Sequence, residues 1–341
     1  MSSTALVRPA RGQDVADREA WHRIKSASRL HDLPAMFPGA RELHLGPFDR
    51  PLPGQRNERY VAERDGEVVG LLDVDLPLLD NTDNAWMEVT VPPERRRQGI
   101  GSALWARGVE VAREHGRTRV IASSGEPLDA PGGPAAEFLA RQGLNRALQE
   151  GLSVLDLGSV ADGQLDRLHD GAAGRASSAG YELLVWTGPP EAAHLAEIGA
   201  LERTLTADAP MGDLAWEPEV WEADRVGETW AACEAIGLRS WHAAGRHRDG
   251  GPLVAWTTLV VTPSVPGWAM QWNTVVAPEH RGHRLGLWLK TANLRALRRD
   301  EPGVRRIVTE NAVDNAPMLD VNVAMGFRRI GYAWEWQRDI G

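Results

Sequence analysis

The sequence predicts an α/β protein built as two similar modules in tandem, and three observations predict it. At 341 residues the chain is long for one domain and suits two. Strand- and helix-forming segments run in the same order through each half, with matching elements 178 to 185 residues apart. An internal duplication accounts for that constancy. Each half also carries a glycine-containing, arginine-bearing turn between a Val-rich strand and a helix, "PPERRRQGIGSALW" at 92–105 and "PEHRGHRLGLWLK" at 278–290.

The elements follow in order. "ALVRPA" (5–10) reads as a short strand followed by the helical "DREAWHRIKSA"; "ELLVW" (182–186) and "PEAAHLAEIGALERTL" are their counterparts. A hairpin comes next in each half, turning at Asp65-Gly66 and at Asp249-Gly250-Gly251, because Asp-Gly between alternating strands adopts the positive φ angles of a tight turn. The strands "AWMEVTV" (85–91) and "MQWNTVV" (270–276) enter the two glycine turns, and helices follow at 101–115 and 286–299. Strands "TRVIASS" and "RRIVTEN" lead to helices that end at Gly143-Leu144 and Gly326-Phe327, and each half closes on its own strands, "ALQEGLSVLDL" and "RRIGYAWEWQ". The stretch "HDGAAGRASSAG" (169–180) is small and lacks large apolar residues, as a linker would be. The expected boundaries are therefore 1–168, 169–180 and 181–341.

Composition removes several functions. A net charge of −9 disfavours nucleic acid, which needs a basic face, and is compatible with an amine substrate. One cysteine, Cys233, excludes an intramolecular disulfide framework and suits a reducing cytoplasm. No run approaches the ~18 apolar residues that span a bilayer, so no membrane partner is expected. The pairs His280/His283 and His242/His247 lack further ligands for a metal, so none is expected. Eleven of the fourteen tryptophans follow residue 180. Most are expected in the core, with one or two of Trp216, Trp221, Trp230 and Trp241 lining a pocket.

A strand, a glycine turn and a helix N-terminus form a general anion site. The first-turn amides lack intrahelical partners, the helix dipole adds positive charge, and glycine admits a phosphate closely. The spacing Arg96-x-x-Gly99-x-Gly101 fits neither the P-loop nor the dinucleotide fingerprint. It resembles motif A of the GNAT acyltransferase superfamily, (Arg/Gln)-x-x-Gly-x-(Gly/Ala), and the element order extends the resemblance over nearly the whole chain as two GNAT modules. That layout is similar to mycothiol synthase and, by length and arrangement, to the tandem GNAT proteins of clavulanic acid biosynthesis. The resemblance implies a mixed, mostly antiparallel sheet in each module, splayed between its fourth and fifth strands, with acetyl-CoA or another acyl-CoA as cofactor. The pantetheine arm would pair with the fourth strand, at Val89, Thr90 and Val91 in one half and Thr274, Val275 and Val276 in the other. The pyrophosphate would meet Arg96, Arg97, Gln98, Gly99, Ile100, Gly101 and Ser102, or Arg281, Gly282, His283, Arg284, Leu285 and Gly286.

The halves depart from the family differently. Arg284 replaces the first glycine of the second loop, so it either limits backbone approach or contacts phosphate itself. "TENAVDNAPMLDVNVAMGF" resembles active modules, and Asn315 matches an asparagine that contacts CoA; "SSGEPLDAPGGPAAEFLARQGL" is longer and rich in Gly and Pro. The family's tyrosine, which protonates the departing thiolate, is replaced by Leu139 and Asn322. A thiol with a pKa of ~8.5 tolerates that loss. Candidate bases are Glu310 in the second half and Glu88 in the first. The segment 211–241 is expected to be helical and to roof the acceptor site, with Asp213, Glu217 and Glu219 available to an amine. The expected function is N-acetylation of a small-molecule amine in specialised metabolism, by a cytoplasmic monomer or homodimer whose second module catalyses. The alternatives are catalysis in the first module, or acyl-CoA binding without transfer.

Overall fold

The computed structural model describes residues 5–341, which divide into two compact units. Unit 1 comprises the chain to Gly151 together with Met211–Glu217 and Ile330–Gly341; unit 2 comprises Leu152–Pro210 and Pro218–Arg329.

Unit 1 begins with β1 (Leu6–Pro9), α1 (Val15–Asp32) and α2 (Arg41–Asp49), the last an element the sequence reading does not include. The hairpin of β2 (Gln55–Arg64) and β3 (Glu67–Pro77) turns as expected: Asp65 and Gly66 have φ of 52° and 81°, and Arg64 faces Glu67. There follow β4 (Asn84–Thr90), α3 (Ile100–Glu114), β5 (Arg119–Pro127), α4 (Pro134–Arg141) and β6 (Asn145–Asp156). Seven residues of β6 fall in unit 1 and five in unit 2. Unit 2 continues with α5 (Gln164–Ser178), β7 (Tyr181–Thr187), α6 (Leu195–Asp208), α7 (Ala223–Ala235), β8 (Arg239–His247), β9 (Leu253–Val261), β10 (Trp268–Val276), α8 (Leu285–Asp300), β11 (Arg306–Ala312) and α9 (Ala316–Met325). The last strand, β12 (Arg328–Asp339), returns the chain to unit 1.

Strand order is β1-β2-β3-β4-β5-β12-β6 in unit 1 and β6-β11-β10-β9-β8-β7 in unit 2. The pairs β1–β2, β2–β3, β3–β4, β5–β12, β7–β8, β8–β9 and β9–β10 are antiparallel, whereas β4 with β5 and β10 with β11 are parallel. Those parallel pairs are short. β4 meets β5 only over Asn84–Trp86 with Arg119–Ile121, and β10 meets β11 only over Trp268–Met270 with Arg306–Val308. Beyond those residues the two strands part, and this is the splay at which a site can form.

Three expectations are corrected. Neither half closes on its own last strand: β5 pairs with β12 along Arg119–Pro127, and the end of β6 lies beside β11. Side chains explain the choice. Trp336 is buried and donates from Nε1 to the Ser124 hydroxyl at 2.9 Å, Ser123 donates to Glu335, and Arg113 grips the Ile340 carbonyl. Residues 169–178 are not a linker but the latter part of α5. Ala172 and Ala176 are completely buried there, and their small side chains let α5 pack closely on α8. Residues 211–222 are not helical. Asp213 and Glu217 belong to unit 1, where Gln337 donates to the Asp213 carbonyl and the Glu217 amide donates to Asn81; Glu219 belongs to unit 2.

Each unit has its own apolar core. In unit 1, Val74, Met87, Leu104, Val120 and Trp336 pack between the sheet and α3; in unit 2, Ala243, Leu259, Leu289, Leu297 and Phe327 do so beneath α8. Among the described residues, no helix is long and apolar enough to cross a membrane.

Candidate active site

In both units the chain leaves the fourth strand of the module through a single 3-10 turn, Pro93–Arg95 or Pro278–His280, and reaches the helix by the same backbone path. Positive φ occurs at Arg97 (60°) and Gly99 (80°) in the first loop, and at Gly282 (83°) and Arg284 (62°) in the second. Arg284 thus holds the left-handed conformation that Gly99 holds more cheaply, and the backbone course expected of the missing glycine is preserved. Neither Gly99 nor Arg284 caps its helix through a side chain, and the first intrahelical acceptors are their own carbonyls, taken by Ala103 and Trp288. The preceding amides therefore remain available at the positive end of each helix dipole. A Cβ at Gly99 or Gly282 would meet nothing within 4 Å, so both loops are open on that face.

The motif arginines act within the protein. Arg96 donates from Nε to the Val91 carbonyl (3.0 Å) and makes a two-pronged pair with Asp32 at the end of α1 (2.7 and 2.8 Å). Arg281 repeats this with the Val276 carbonyl (3.0 Å) and Asp208 at the end of α6 (2.5 Å). Their role in these geometries is to fix the loop, leaving backbone amides and neighbouring side chains to face an anion. Arg97 pairs with Glu137, whereas the Arg284 side chain is exposed and makes no hydrogen bond or ion pair among the described residues.

One helix turn or two before each Asp, the same helix reaches the fourth strand. In unit 1, Lys25 of α1 donates to Glu88 of β4 at 2.8 Å and lies 3.6 Å from Asp73. Burial raises the Glu88 carboxyl, but the charge and hydrogen bond of Lys25 outweigh it and hold the group down at about 2; 55% of the side chain is exposed, so solvent tempers this pull. Deeper in the sheet, burial and then Asp73 push Asp75 up to about 6. Burial, aided by Lys25, keeps His44 neutral with its pKa lowered to about 3. In unit 2 the corresponding helix carries an acid, Glu202, and the strand an amide, Asn273, whose Nδ2 lies 2.8 and 2.9 Å from the two carboxylate oxygens.

The other sequence candidates fall as follows. Glu310 is exposed on β11, beyond the last residue paired with β10. Asn315 caps α9, its side chain accepting from the Met318 amide. Val89 and Thr90 at the end of β4, Val91 just past it, and Thr274–Val276 on β10 lie beyond the residues paired with β5 and β11, with one edge paired to β3 or β9 through Val89, Thr90 and all three residues of the second set. At the tyrosine positions, Leu139 is core, while buried Asn322 accepts from Lys290 (2.6 Å) and donates to Asn311 (2.7 Å). Trp230 and Trp241 are buried, and Trp216 stands edge-on to Trp86 in unit 1. Sequence reasoning passed over Glu202 and Lys290. Both sit on apolar helix faces, Glu202 one turn after Ile198 and Lys290 one turn after Leu287, and a charge on such a stripe was the available signal.

With a paired splay and an uncapped helix start in each unit, the fold finds its counterpart in the tandem GNAT protein from the clavulanic acid biosynthesis pathway. Identity is 30% over 99% of both chains, with a TM-score of 0.81. The chain belongs to the GNAT acetyltransferase family. The family model of the GNAT acetyltransferases matches residues 28–150. A GCN5-related N-acetyltransferase from Sphaerobacter thermophilus shares the fold at 17% identity over 98% of this chain and 96% of that one (TM-score 0.63). No curated protein matches the sequence. This GNAT protein is an acyltransferase of the type that uses acetyl-CoA, and among its described residues no cluster of three or more His, Cys, Asp or Glu is placed to hold a metal.

Proposed function

We propose that this tandem GNAT protein transfers an acetyl group from acetyl-CoA to a small-molecule amine in unit 2, while unit 1 binds acyl-CoA in a structural role. The observation that carries the assignment is the contrast at the helix-to-strand contact: Lys25 neutralises Glu88 in unit 1, whereas Glu202 in unit 2 is bonded to an amide and, among the described residues, feels only the weaker pull of Arg225. A carboxylate with a pKa near 2 has little affinity for a proton at neutral pH and is a poor base.

In this reading the amides of Leu285 and Gly286, with Ser102, Ile100 and Gly101 in unit 1, face the pyrophosphate, and Arg284 adds its unpaired charge. Thr274, Val275 and Val276 offer their unpaired edge to the pantetheine arm, as an added strand would. A backbone amide of β10 donates to the thioester oxygen as negative charge develops there. Kinship to a clavulanic acid pathway protein supports an amine of specialised metabolism as the acceptor.

The test is native mass spectrometry of the purified protein followed by thiol-release assays with acetyl-CoA and a panel of primary amines. Retained acyl-CoA and amine-stimulated release are expected. A protein that stays ligand-free in excess acetyl-CoA refutes the reading; binding without release under any amine makes it a non-catalytic acyl-CoA binder.

A further inference from the structure

The buried titratable side chains of unit 2 include His242, Lys290 and Glu202. His242 is stacked between Trp186 and Trp256 with Nδ1 bonded to Thr258, and Lys290 is satisfied by Asn322; both are explained by packing. Glu202 is different because of where its carboxylate lies. Its partner Asn273 falls inside the irregularity of β10 between Gln271 and Thr274, three residues past Met270, the last residue paired with β11. The carboxylate is therefore held against the stretch of β10 that lies beyond its pairing with β11.

That irregularity is firmly built. The Gln271 amide donates to the Thr258 carbonyl (2.8 Å) and the Thr257 hydroxyl (3.0 Å), and the Thr257 hydroxyl reaches the Asn273 carbonyl (3.2 Å) and the Thr274 hydroxyl (2.7 Å). A bulge tied by four such bonds aims its side chains reproducibly, as bulges beside active sites do. Glu202 itself is 6% exposed, on the face of α6 that buries Ile198 and Leu201. Arg225, whose charge pulls the Glu202 carboxyl down, itself pairs with Glu219 at 3.1 Å and lies over the Trp221 ring. Burial accordingly pushes the Glu202 carboxyl up to about 7, against the Asn273 hydrogen bond and reinforced by Glu219.

We propose that Glu202 is the general base of unit 2, held in place by Asn273, for a primary amine attacking the thioester at the splay; this rests on the acyltransferase reading above. The neutral amine forms the N–C bond, and its surplus proton passes to the Glu202 carboxylate, directly or through one water. The C–S bond breaks with its electron pair leaving on sulfur, and the proton returned from Glu202 completes the CoA thiol. Atoms and charge balance as amine plus thioester giving amide plus thiol. A base titrating near the working pH is the efficient choice for such a step.

The experiment compares wild type with Glu202→Gln and Glu202→Asp. Acetyl-CoA binding is measured by calorimetry, and thiol release from acetyl-CoA with a primary-amine panel is followed from pH 5 to 9. We expect Glu202→Gln to bind acetyl-CoA within about threefold of wild type yet lose ~100-fold or more in kcat, the usual scale of a general base. Its acid limb near pH 7 should vanish, while Glu202→Asp should keep a displaced limb. An unchanged rate, or an unchanged limb in Glu202→Gln, overturns the proposal and leaves the acyltransferase reading standing. Failure of wild type to bind acetyl-CoA, or to release thiol with any amine, sinks that reading and the proposal with it. Should Glu202→Gln lose acetyl-CoA binding, Glu202→Asp decides: binding retained with full rate and an unmoved limb assigns Glu202 a structural role only.

Discussion

The two units place one helix against one strand in the same way and fill that contact with opposite chemistry. In unit 1 a lysine on α1 meets a glutamate on β4; in unit 2 a glutamate on α6 meets an asparagine on β10. Both helices end on an aspartate that holds the arginine of the glycine-turn loop, so the scaffolds are alike where the proposed ligand would bind. The two units share this grip and differ in what stands beside it. An ion pair there consumes the carboxylate, whereas an amide there leaves the carboxylate able to take a proton.

The sharpest way to break this comparison is to cut the two anchoring arginines in turn. Arg281→Ala should reduce acetyl transfer by 100-fold or more, a scale set by misplacing the reacting groups, while Arg96→Ala should leave transfer within a few-fold and lower the acyl-CoA retained by the protein. Thiol-release kinetics and native mass spectrometry read the two effects, and the reverse pattern exchanges the roles of the units. Next comes pH. Glu202 has a folded pKa raised to about 7, so the stability it contributes is complete below the unfolded carboxyl value and is lost as pH rises through 7. Glu88 has its pKa lowered to about 2, so its contribution is present above the unfolded value and lost as pH falls toward 2. Urea titrations across pH 2–8 should therefore show Glu202→Gln flattening the curve between about pH 4.5 and 7. Glu88→Gln should flatten it only below that window.

Glu88→Gln sharpens the same contrast by stability alone. Losing one charge-assisted bond at a half-exposed site should cost about 1 kcal/mol, with Asp73 still compensating Lys25, and with little effect on turnover. The smallest effect lies in the loops. Arg284→Gly should stabilise unit 2 by about 0.5–1 kcal/mol by relieving a left-handed arginine, and Gly99→Ala should destabilise unit 1 by a similar amount. Thermal denaturation measures both.

Much of this was legible in the sequence. Alternation, Asp-Gly turns and the repeated Val-rich strand before a glycine turn reveal both modules, because each signal is local and set by backbone dihedral preference. The splay was legible only through family resemblance. What escaped is non-local. Nothing in "RRIGYAWEWQ" states that its tryptophan will seek Ser124 on β5, since alternation names the faces of a strand and not its neighbour. Residues 169–178 misled for a related reason: alanine, glycine and serine serve a flexible linker and a closely packed helix equally. Glu202 was overlooked because an acid in "GALERTL" reads as a solvated helix face until the burial of Ile198 and Leu201 shows which side it occupies.

The placement of β12 has a consequence for biosynthesis. The sheet of unit 1 lacks the strand beside β5 until residues 330–341 have left the ribosome, although most of that unit is made first. Its exposed β5 edge must wait through the synthesis of all of unit 2. A cut near residue 170 would accordingly deprive the earlier product of the strand that closes its sheet, because residues 330–341 supply it.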